Sequence, residues 1–305
     1  MKLLLIGNSF SYYWTDELYQ LLAAAGQEDA MVCNIYYSGC TFDMHLNWWK
    51  TGKNPYTFII HDKNGRTAIK ETSFEACLSY AQWDKISFQQ SGRYIYNQSG
   101  NDMNESGIAL HDRMIADYLP ELYQRVHDRF PNAQYYWLQN WAHELDNGAN
   151  NGMSSLERQL AVHQGFRDVG LKYCKQFGFI NVPCGDAWVL IRHDPMFYAP
   201  AGEGELYPKR MLHSRILKAS CVNTFEFIQN KDIGHDGDIG GGQYLNACVW
   251  FEMLTKTSVV GNPFIPSYVH EDAGLEFKFT SKRVAALQNA AHQAVLTAYG
   301  EDFYI

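Results

Sequence analysis

Two short segments carry residues that can perform nucleophilic catalysis. Ser9 lies in Gly7-Asn8-Ser9, directly after an apolar run, and a serine in a tight turn between a strand and a helix exposes its hydroxyl. Asp232 lies three residues before His235. An imidazole can take the proton of a serine hydroxyl, and a carboxylate can hold the ring and stabilise the imidazolium. The combination predicts Ser9 as a nucleophile, with Asp232 and His235 completing a triad.

Three further groups are placed to stabilise a negatively charged oxygen. The backbone N–H of Ser9 is expected at the positive end of the following helix. Gly39 follows the second predicted strand, where its N–H can approach a substrate oxygen without a side chain in the way. Gln89 ends the third predicted strand and can donate through its amide. Gln90 is the alternative, and we favour Gln89 because the strand is expected to end there.

Other polar and aromatic residues near the predicted strand ends are candidates to line a substrate site. Aromatic residues make up 15% of the chain, which suits either a core or a sugar-binding cleft. Packing in the core is the more frequent fate of such side chains. The candidates are Asn8, Asn140, Trp141, His143, Trp48 and Trp49.

Each catalytic residue also has a purely structural interpretation. Ser9 could cap the first helix, since serine is a favoured N-cap. His235 could be an ordinary surface residue among the 11 histidines, and Asp232 or Gly39 could serve only a turn. The order and separation of these residues favour catalysis over four separate structural explanations.

The acidic, glycine-rich stretch after residue 231 does not match a metal or phosphate site. Asp232, Asp236 and Asp238 lack the spacing and the closing glutamate of a calcium loop. The three glycines before the next predicted helix lack the Lys-Ser/Thr of a phosphate-binding loop. We therefore expect no metal and no organic cofactor.

Composition restricts the partners. The 305 residues carry a net charge of −8, which argues against nucleic acid or an anionic membrane. No apolar run approaches the ~18 residues of a membrane span, and residues 2–6 are too short for a signal peptide core. We expect a soluble protein, cytoplasmic by default or exported if a leader was removed. The seven scattered cysteines are predicted to be mostly buried and apolar in character, without a disulfide framework.

Apolar strands alternate with amphipathic helices along the chain. This alternation predicts a three-layer α/β/α sandwich with a five-stranded, mostly parallel, flavodoxin-like sheet, in which ligands bind at the carboxyl ends of the strands. Asn64-Gly65 between two strand-like runs predicts an inserted β-hairpin. The predicted strands lie at about 2–6, 31–37, 83–89, 133–139 and 179–183, and the helices at about 15–25, 109–129, 154–177, 244–254 and 281–299.

The motifs together resemble the SGNH (GDSL-like) hydrolase superfamily over residues 1 to about 255. Members carry Gly-Asp-Ser after strand one, a glycine after strand two, an asparagine after strand three and Asp-x-x-His near the C-terminus. Asn8 here replaces the usual aspartate of the first block. The third block departs further, because Gln89 stands in place of the asparagine. Ser99-Gly100-Asn101-Asp102 looks similar to that block but lacks its spacing.

The resemblance implies one domain over residues 1–305, with an inserted flap at about 41–80 and a C-terminal helical extension at about 256–305. It implies a serine ester hydrolase that removes a small acyl group through an acyl-enzyme, with an acetylated carbohydrate as one candidate substrate. A non-hydrolytic carbohydrate-binding protein and an acyltransferase using the same site stay open as alternatives. The oligomeric state is also open.

Overall fold

A central β-sheet organises the chain. The computed structural model describes residues 1–92, 105–142, 156–199, 209–210, 241–266, 269–272 and 275–305. In chain order the strands are β1 (Lys2–Ile6), β2 (Met31–Tyr36), β3 (Tyr56–Asp62), β4 (Gly65–Thr72), β5 (Lys85–Phe88), β6 (Gln134–Leu138), β7 (Ile180–Val182), β8 (Tyr198–Ala199), β9 (Lys209–Arg210), β10 (Val269–Asp272) and β11 (Leu275–Lys278).

The helices follow the strands in the alternating order that the sequence predicts. They are α1 (Thr15–Ala24), α2 (Phe42–Thr51), α3 (Phe74–Ser79), α4 (Glu105–Arg129), α5 (Leu156–Phe177), α6 (Cys184–Ile191), α7 (Gly241–Thr255) and α8 (Ser281–Tyr299), with short 3₁₀ turns at Ser9–Ser11 and Glu301–Phe303. Helices α2, α3 and α6 are additions to the predicted set. Each is ten residues or shorter, so its 3.6-residue period is hard to see in the sequence.

The main sheet has seven strands in the order β4-β3-β2-β1-β5-β6-β7. The five strands from β2 to β7 in this order are parallel, which confirms the predicted five-stranded, flavodoxin-like core. The hairpin of β3 and β4 adds two antiparallel strands beside β2. The inserted hairpin is thus the edge of the sheet rather than a separate flap, because it pairs with the otherwise open edge of β2.

Helices cover both faces of the sheet. Helices α1, α6, α7 and α8 pack on one face, against side chains that include Leu3 and Leu5. Helices α2, α3, α4 and α5 pack on the other face, against Leu4 and Ile6. Successive residues of β1 therefore serve opposite cores, as the two-residue period of a strand requires.

Helix α7 lies at the centre of its layer. Its residues from Gly241 to Leu254 are all buried, and a helix that is apolar on every side belongs inside a protein. It packs against α1, α6 and α8, and Trp250 stacks on Trp14, which directly precedes α1, with ring centroids 5.2 Å apart. The C-terminal segment predicted as a helical extension therefore contributes α8 to this layer, and it also contains the β10–β11 hairpin.

The cysteines and the helices of the described ranges bear on two further predictions. The six cysteines among the described residues are buried and free of disulfides, and Cys221 lies outside that part of the chain. No helix in the described ranges is long and apolar enough to cross a membrane.

Candidate active site

Four of the residues predicted to form the site follow the carboxyl ends of parallel strands. Ser9 follows β1, Gly39 follows β2, Gln89 follows β5 and Asn140 follows β6. The chain leaves β1 toward β2 on one side and later returns to β5 on the other side. This reversal forms the crevice in which open α/β sheets bind ligands, and Ser9 stands at its edge.

Ser9 opens the 3₁₀ turn Ser9–Ser11, and the cap of this turn is Asn8. The Asn8 side chain accepts a hydrogen bond from the backbone N–H of Phe10 at 3.0 Å. Helix α1 begins only at Thr15, where no side chain caps it. Ser9 therefore caps neither element, and its half-buried hydroxyl makes no hydrogen bond to another described residue.

Asn8 ties the Ser9 turn to the loop after β2. Its Nδ2 donates to the backbone oxygen of Cys40 at 3.0 Å, while its Oδ1 holds the turn. The side chain is fully buried, and both of its polar atoms are engaged. Asn8 therefore positions the Ser9 turn against the loop after β2. An aspartate at this position would have no N–H group to donate to the backbone oxygen of Cys40.

Gly39 lies in a tight turn in which the N–H of Cys40 donates to the oxygen of Tyr37 at 3.1 Å. Its φ is +63°, in the left-handed region that favours glycine. No described residue lies within 4 Å of where its Cβ would be. Among the described residues, the backbone conformation is therefore what favours glycine here.

Gln89 is fully buried and engaged at both ends of its amide. Its Oε1 accepts from the backbone N–H of Asn8 at 3.0 Å, and its Nε2 donates to the oxygen of Gln90 at 2.6 Å. Only one of its two amide hydrogens is left for a substrate. Gln89 therefore serves the turn at least as much as any oxyanion.

Gln90 presents the less occupied amide. Its Oε1 accepts from the N–H groups of Phe42 and Ser91 at 3.0 and 3.1 Å, which identifies the oxygen end of the carboxamide. Its Nε2 is buried and has no partner among the described residues. Of the two neighbouring glutamines, only Gln90 has an amide nitrogen that makes no hydrogen bond to a described residue.

Asn140 and Trp141 lie just after the carboxyl end of β6, at the same edge of the sheet as Ser9. Asn140 donates from Nδ2 to the oxygen of Gln90 at 2.8 Å. Trp141 lies 4.7 Å from Phe10 between ring centroids and stacks on Trp188 at 5.1 Å. The Asn140 Oδ1 and Trp141 Nε1 atoms are buried without partners in the described part of the chain. Both residues thus bring polar atoms to the neighbourhood of Ser9.

The two tryptophans of α2 face different surroundings. Trp48 lies edge-on to Tyr37 with centroids 4.7 Å apart, beside the turn that carries Gly39. Trp49 stacks on Phe74 at 4.7 Å and donates from Nε1 to Glu75 at 3.2 Å. Consecutive residues of a helix point about 100° apart, so only Trp48 lies against the Gly39 turn.

Three of the predicted site residues lie outside the described part of the chain: Asp232, His235 and His143. The excluded block Ser99–Asp102 lies outside it as well. The positions of these residues relative to Ser9 therefore stay predictions.

His45 is a residue of the site that the sequence did not identify. It lies on α2, is fully buried, and its Nε2 is 3.2 Å from the backbone oxygen of Gly7. Burial lowers its pKa to about 4, so the ring is neutral at pH 7. No local motif surrounds His45, because its partner is 38 residues away in sequence.

A histidine–aspartate pair lies at the same edge of the sheet. His163 Nε2 is 3.1 Å from Oδ1 of Asp186, which also accepts from Gln139 at 2.9 Å. Burial acts to raise the pKa of Asp186, but these hydrogen bonds outweigh it and hold the pKa below its ordinary value. His163 Nδ1 is buried without a partner among the described residues. His163 and Asp186 thus form a histidine–carboxylate pair within the described part of the chain.

A second cluster combines a serine, a histidine and a carboxylate but cannot relay a proton between them. Ser258 Oγ and Glu252 Oε1 lie 3.3 and 3.2 Å from the same atom, Nδ1 of His292. A triad uses the two ring nitrogens for different partners. Glu252 also accepts from the N–H of Val259 at 2.7 Å, so the cluster anchors the chain after α7. Among the described residues, no group of three His, Cys, Asp or Glu side chains is arranged to hold a metal ion.

Comparison with known proteins gives a family and a fold. A family model described as a domain of unknown function, DUF4886, matches residues 2–160, slightly more than half of the chain. The crystal structure of a DUF4886 family protein from Bacteroides uniformis ATCC 8492 is 23% identical with a TM-score of 0.71, covering 98% of this chain and 95% of that one. This likeness shows the fold. No curated protein matches the chain.

Two more distant structures are described by name as hydrolases. One is described as a GDSL-like lipase from Parabacteroides merdae ATCC 43184, 14% identical with a TM-score of 0.43, covering 82% of this chain and 94% of its own. The other is described as an SGNH hydrolase from Slackia heliotrinireducens, 14% identical with a TM-score of 0.45, covering 83% and 98%. Similarity at this level does not bear on activity.

Proposed function

The chain belongs to the DUF4886 family, and we propose that it is a serine ester hydrolase with Ser9 as the nucleophile. The observation that carries the proposal is the position of Ser9 at the reversal of the sheet. Its turn is fixed by Asn8, while its own hydroxyl makes no hydrogen bond to the other residues that the structure describes. A serine used only for structure would be expected to cap or to bridge.

In the proposed reaction, Ser9 Oγ attacks the ester carbonyl while His235 takes its proton. Asp232 holds the imidazole in the tautomer that accepts this proton and stabilises the imidazolium that forms. The C–O bond to the alcohol then breaks, and His235 protonates the leaving alcohol. A water molecule, deprotonated by His235, releases the acyl group from Ser9 and restores the enzyme.

The oxyanion of each tetrahedral intermediate is held by the N–H groups of Ser9 and Gly39. A carboxamide of the Gln89–Gln90 pair supplies the third donor. The contacts of the two side chains favour Gln90, since its Nε2 is buried and unpaired among the described residues, whereas Nε2 of Gln89 already donates to a backbone oxygen. The loss of one oxyanion donor typically reduces kcat by about 10²–10³.

A small acyl ester is the proposed substrate class, with an acetylated carbohydrate as the specific candidate. The support is the aromatic side chain of Trp48 beside the Gly39 turn, because aromatic faces suit sugar rings. Asn140 and Trp141 would contribute polar contacts on the opposite side of Ser9, where each has a buried polar atom without a partner among the described residues. Turnover of long-chain lipid esters alone would contradict this substrate class.

The decisive experiment compares hydrolysis of p-nitrophenyl acetate, butyrate and octanoate by wild type and Ser9→Ala, alongside labelling by a fluorophosphonate probe. We expect both activities to vanish in Ser9→Ala and the acetate to be the best substrate. Equal hydrolysis by both proteins would remove Ser9 from the mechanism. If wild type neither hydrolyses these esters nor reacts with the probe, a carbohydrate-binding role would replace the proposal.

A matched pair of histidine variants identifies the base. We expect His235→Ala to abolish hydrolysis and His163→Ala to leave kcat within a few-fold of wild type. The reverse result would transfer the base to the His163–Asp186 pair at the same sheet edge. Faster transfer of the acyl group to an added sugar than to water would instead make the enzyme an acyltransferase.

A further inference from the structure

The peptide unit that precedes Ser9 by one residue is held at both ends by buried side chains. Its oxygen, on Gly7, lies 3.2 Å from Nε2 of His45. Its N–H, on Asn8, donates to Oε1 of Gln89 at 3.0 Å. The two side chains come from different parts of the fold, since His45 lies on α2 and Gln89 follows β5. We call this arrangement the Gly7–Asn8 clamp.

The tautomer of His45 follows from its two neighbours. A backbone oxygen can only accept, so Nε2 of His45 must carry the hydrogen that it donates to Gly7. Burial lowers the pKa of His45 to about 4, and the neutral ring then has an unprotonated Nδ1. Tyr56 OH lies 3.0 Å from Nδ1 and donates to it, since burial raises the pKa of this phenol. Tyr56 thereby selects the tautomer that reaches Gly7.

The position of the ring is also fixed by packing. His45 is fully buried and stacks on Tyr56 with centroids 5.5 Å apart and planes inclined by 11°. Phe74 of α3 meets the ring edge-on at 5.6 Å. His45, Tyr56 and Phe74 all belong to the segment between β2 and β5. This segment therefore supplies the side of the Gly7–Asn8 clamp that contacts the oxygen of Gly7.

We propose that His45 is a positioning residue for Ser9, acting through the oxygen of Gly7. This inference rests on the proposed function. Rotation of the Gly7–Asn8 peptide would change the backbone direction at Asn8 and with it the orientation of the Ser9 N–H and hydroxyl. The clamp resists that rotation, and Tyr56 supports it by holding the His45 tautomer. The insertion of residues 41–80 thus also has a role in catalysis through His45, which acts on the backbone of the Ser9 turn.

The test uses His45→Leu, with His45→Gln as the conservative rescue. Leucine keeps apolar volume but removes the donor, and glutamine restores an amide donor near the position of Nε2. For p-nitrophenyl acetate we expect kcat of His45→Leu to fall about 10- to 100-fold, with KM nearly unchanged. The rate of fluorophosphonate labelling should fall in parallel, and His45→Gln should recover most of both. Tyr56→Phe should show a smaller loss in the same direction.

His61→Leu is the matched control. His61 is also buried and lies on β3, but its Nε2 contacts Thr15 at 3.1 Å, at the opposite end of the hairpin. We expect its kcat to equal that of wild type. Hydrogen exchange of the peptide containing residues 8–13 supplies a readout that does not depend on activity. It should accelerate more in His45→Leu than in His61→Leu, because the contact of His61 with residues 8–13 runs through the Thr15 hydroxyl, which donates to the oxygen of Tyr12.

The outcomes separate this inference from the proposed function. Loss of Ser9-dependent hydrolysis in wild type would overturn the proposed function and, with it, a catalytic role for His45. An active wild type with unchanged kcat and exchange in folded His45→Leu and Tyr56→Phe would overturn the inference alone. Equal losses in His45→Leu and His61→Leu would also overturn it, because they would reflect general damage to the hairpin.

Discussion

Gly7 and Gln89 approach each other so closely that no larger residue fits at position 7. A Cβ on Gly7 would lie 2.6 Å from Oε1 of Gln89 and 2.5 Å from Oγ of Ser11. Both atoms are buried and hydrogen-bonded, so neither can move without loss. The glycine in this position lets the Ser9 turn pass directly beneath the end of β5.

Gly7→Ala should therefore displace the nucleophile, and we expect kcat for p-nitrophenyl acetate to fall by about 10²-fold or more. Gly39→Ala is the contrasting variant. Its Cβ would meet none of the described residues within 4 Å, so it should lose about 1 kcal/mol of stability from its left-handed backbone and keep kcat within a few-fold, because the N–H is retained. Steady-state kinetics and denaturant unfolding measure both. Equal losses of kcat in the two variants would contradict the steric argument.

Gln90→Glu tests the third oxyanion donor. The substitution keeps an oxygen for the N–H groups of Phe42 and Ser91 but replaces the amide nitrogen, which has no partner among the described residues. We expect kcat for p-nitrophenyl acetate to fall about 10²–10³-fold, whereas the exposed Gln124→Glu should change nothing. Gln90→Glu with wild-type kcat would assign the third donor to Gln89 or to no side chain.

We expect the free energy of unfolding to fall on acidification, because two buried histidines resist protonation in the folded state. Burial lowers the pKa of His45 and His111 to about 4, against about 6.5 in an unfolded chain. Between these values the unfolded state binds more protons than the folded state. Each histidine therefore removes up to roughly 1.4 kcal/mol of stability per pH unit on acidification.

Urea unfolding at pH 7, 6 and 5 measures this slope, and His111→Gln should reduce it by about the share of one histidine. The neighbours of His111 include the backbone of Ser91 and the Asp112 carboxylate, which act to raise its pKa but are outweighed by burial. His45 has Asp43 and the oxygen of Gly7 in that role. An unchanged slope in a folded His111→Gln protein would show that His111 is protonated at its ordinary pKa.

Substitution of Trp48 and of Trp49 should have different effects, the first on substrate binding and the second on stability. Trp48→Ala removes the ring beside Tyr37, and we expect KM for a peracetylated disaccharide to rise several-fold, with p-nitrophenyl acetate little affected. Trp49→Ala removes the stack on Phe74 and should cost about 2–4 kcal/mol of stability without changing KM. Parallel changes in KM for the two variants would exclude the assignment of Trp48 to the substrate site.

The amino-acid sequence determined the order of the elements and the strand ends at which the site lies. Short apolar runs bounded by glycine and asparagine mark β1 and β2, and long stretches with a 3.6-residue period mark α4, α5 and α8. These are local signals. They place Ser9, Gly39 and Asn140 after strands, and the parallel sheet then brings those strand ends to one edge.

Only the tertiary structure decided which side chains face one another at that edge. Gln89 and Gln90 are neighbours in sequence, yet Gln89 holds the N–H of Asn8, whereas Nε2 of Gln90 has no partner in the described part of the chain. This distinction depends on contacts from α2 and the Ser9 turn. His45 meets Gly7 across 38 residues, and the hairpin joins the sheet edge because β2 leaves it open. Such contacts form between distant segments, so no local pattern of residues specifies them.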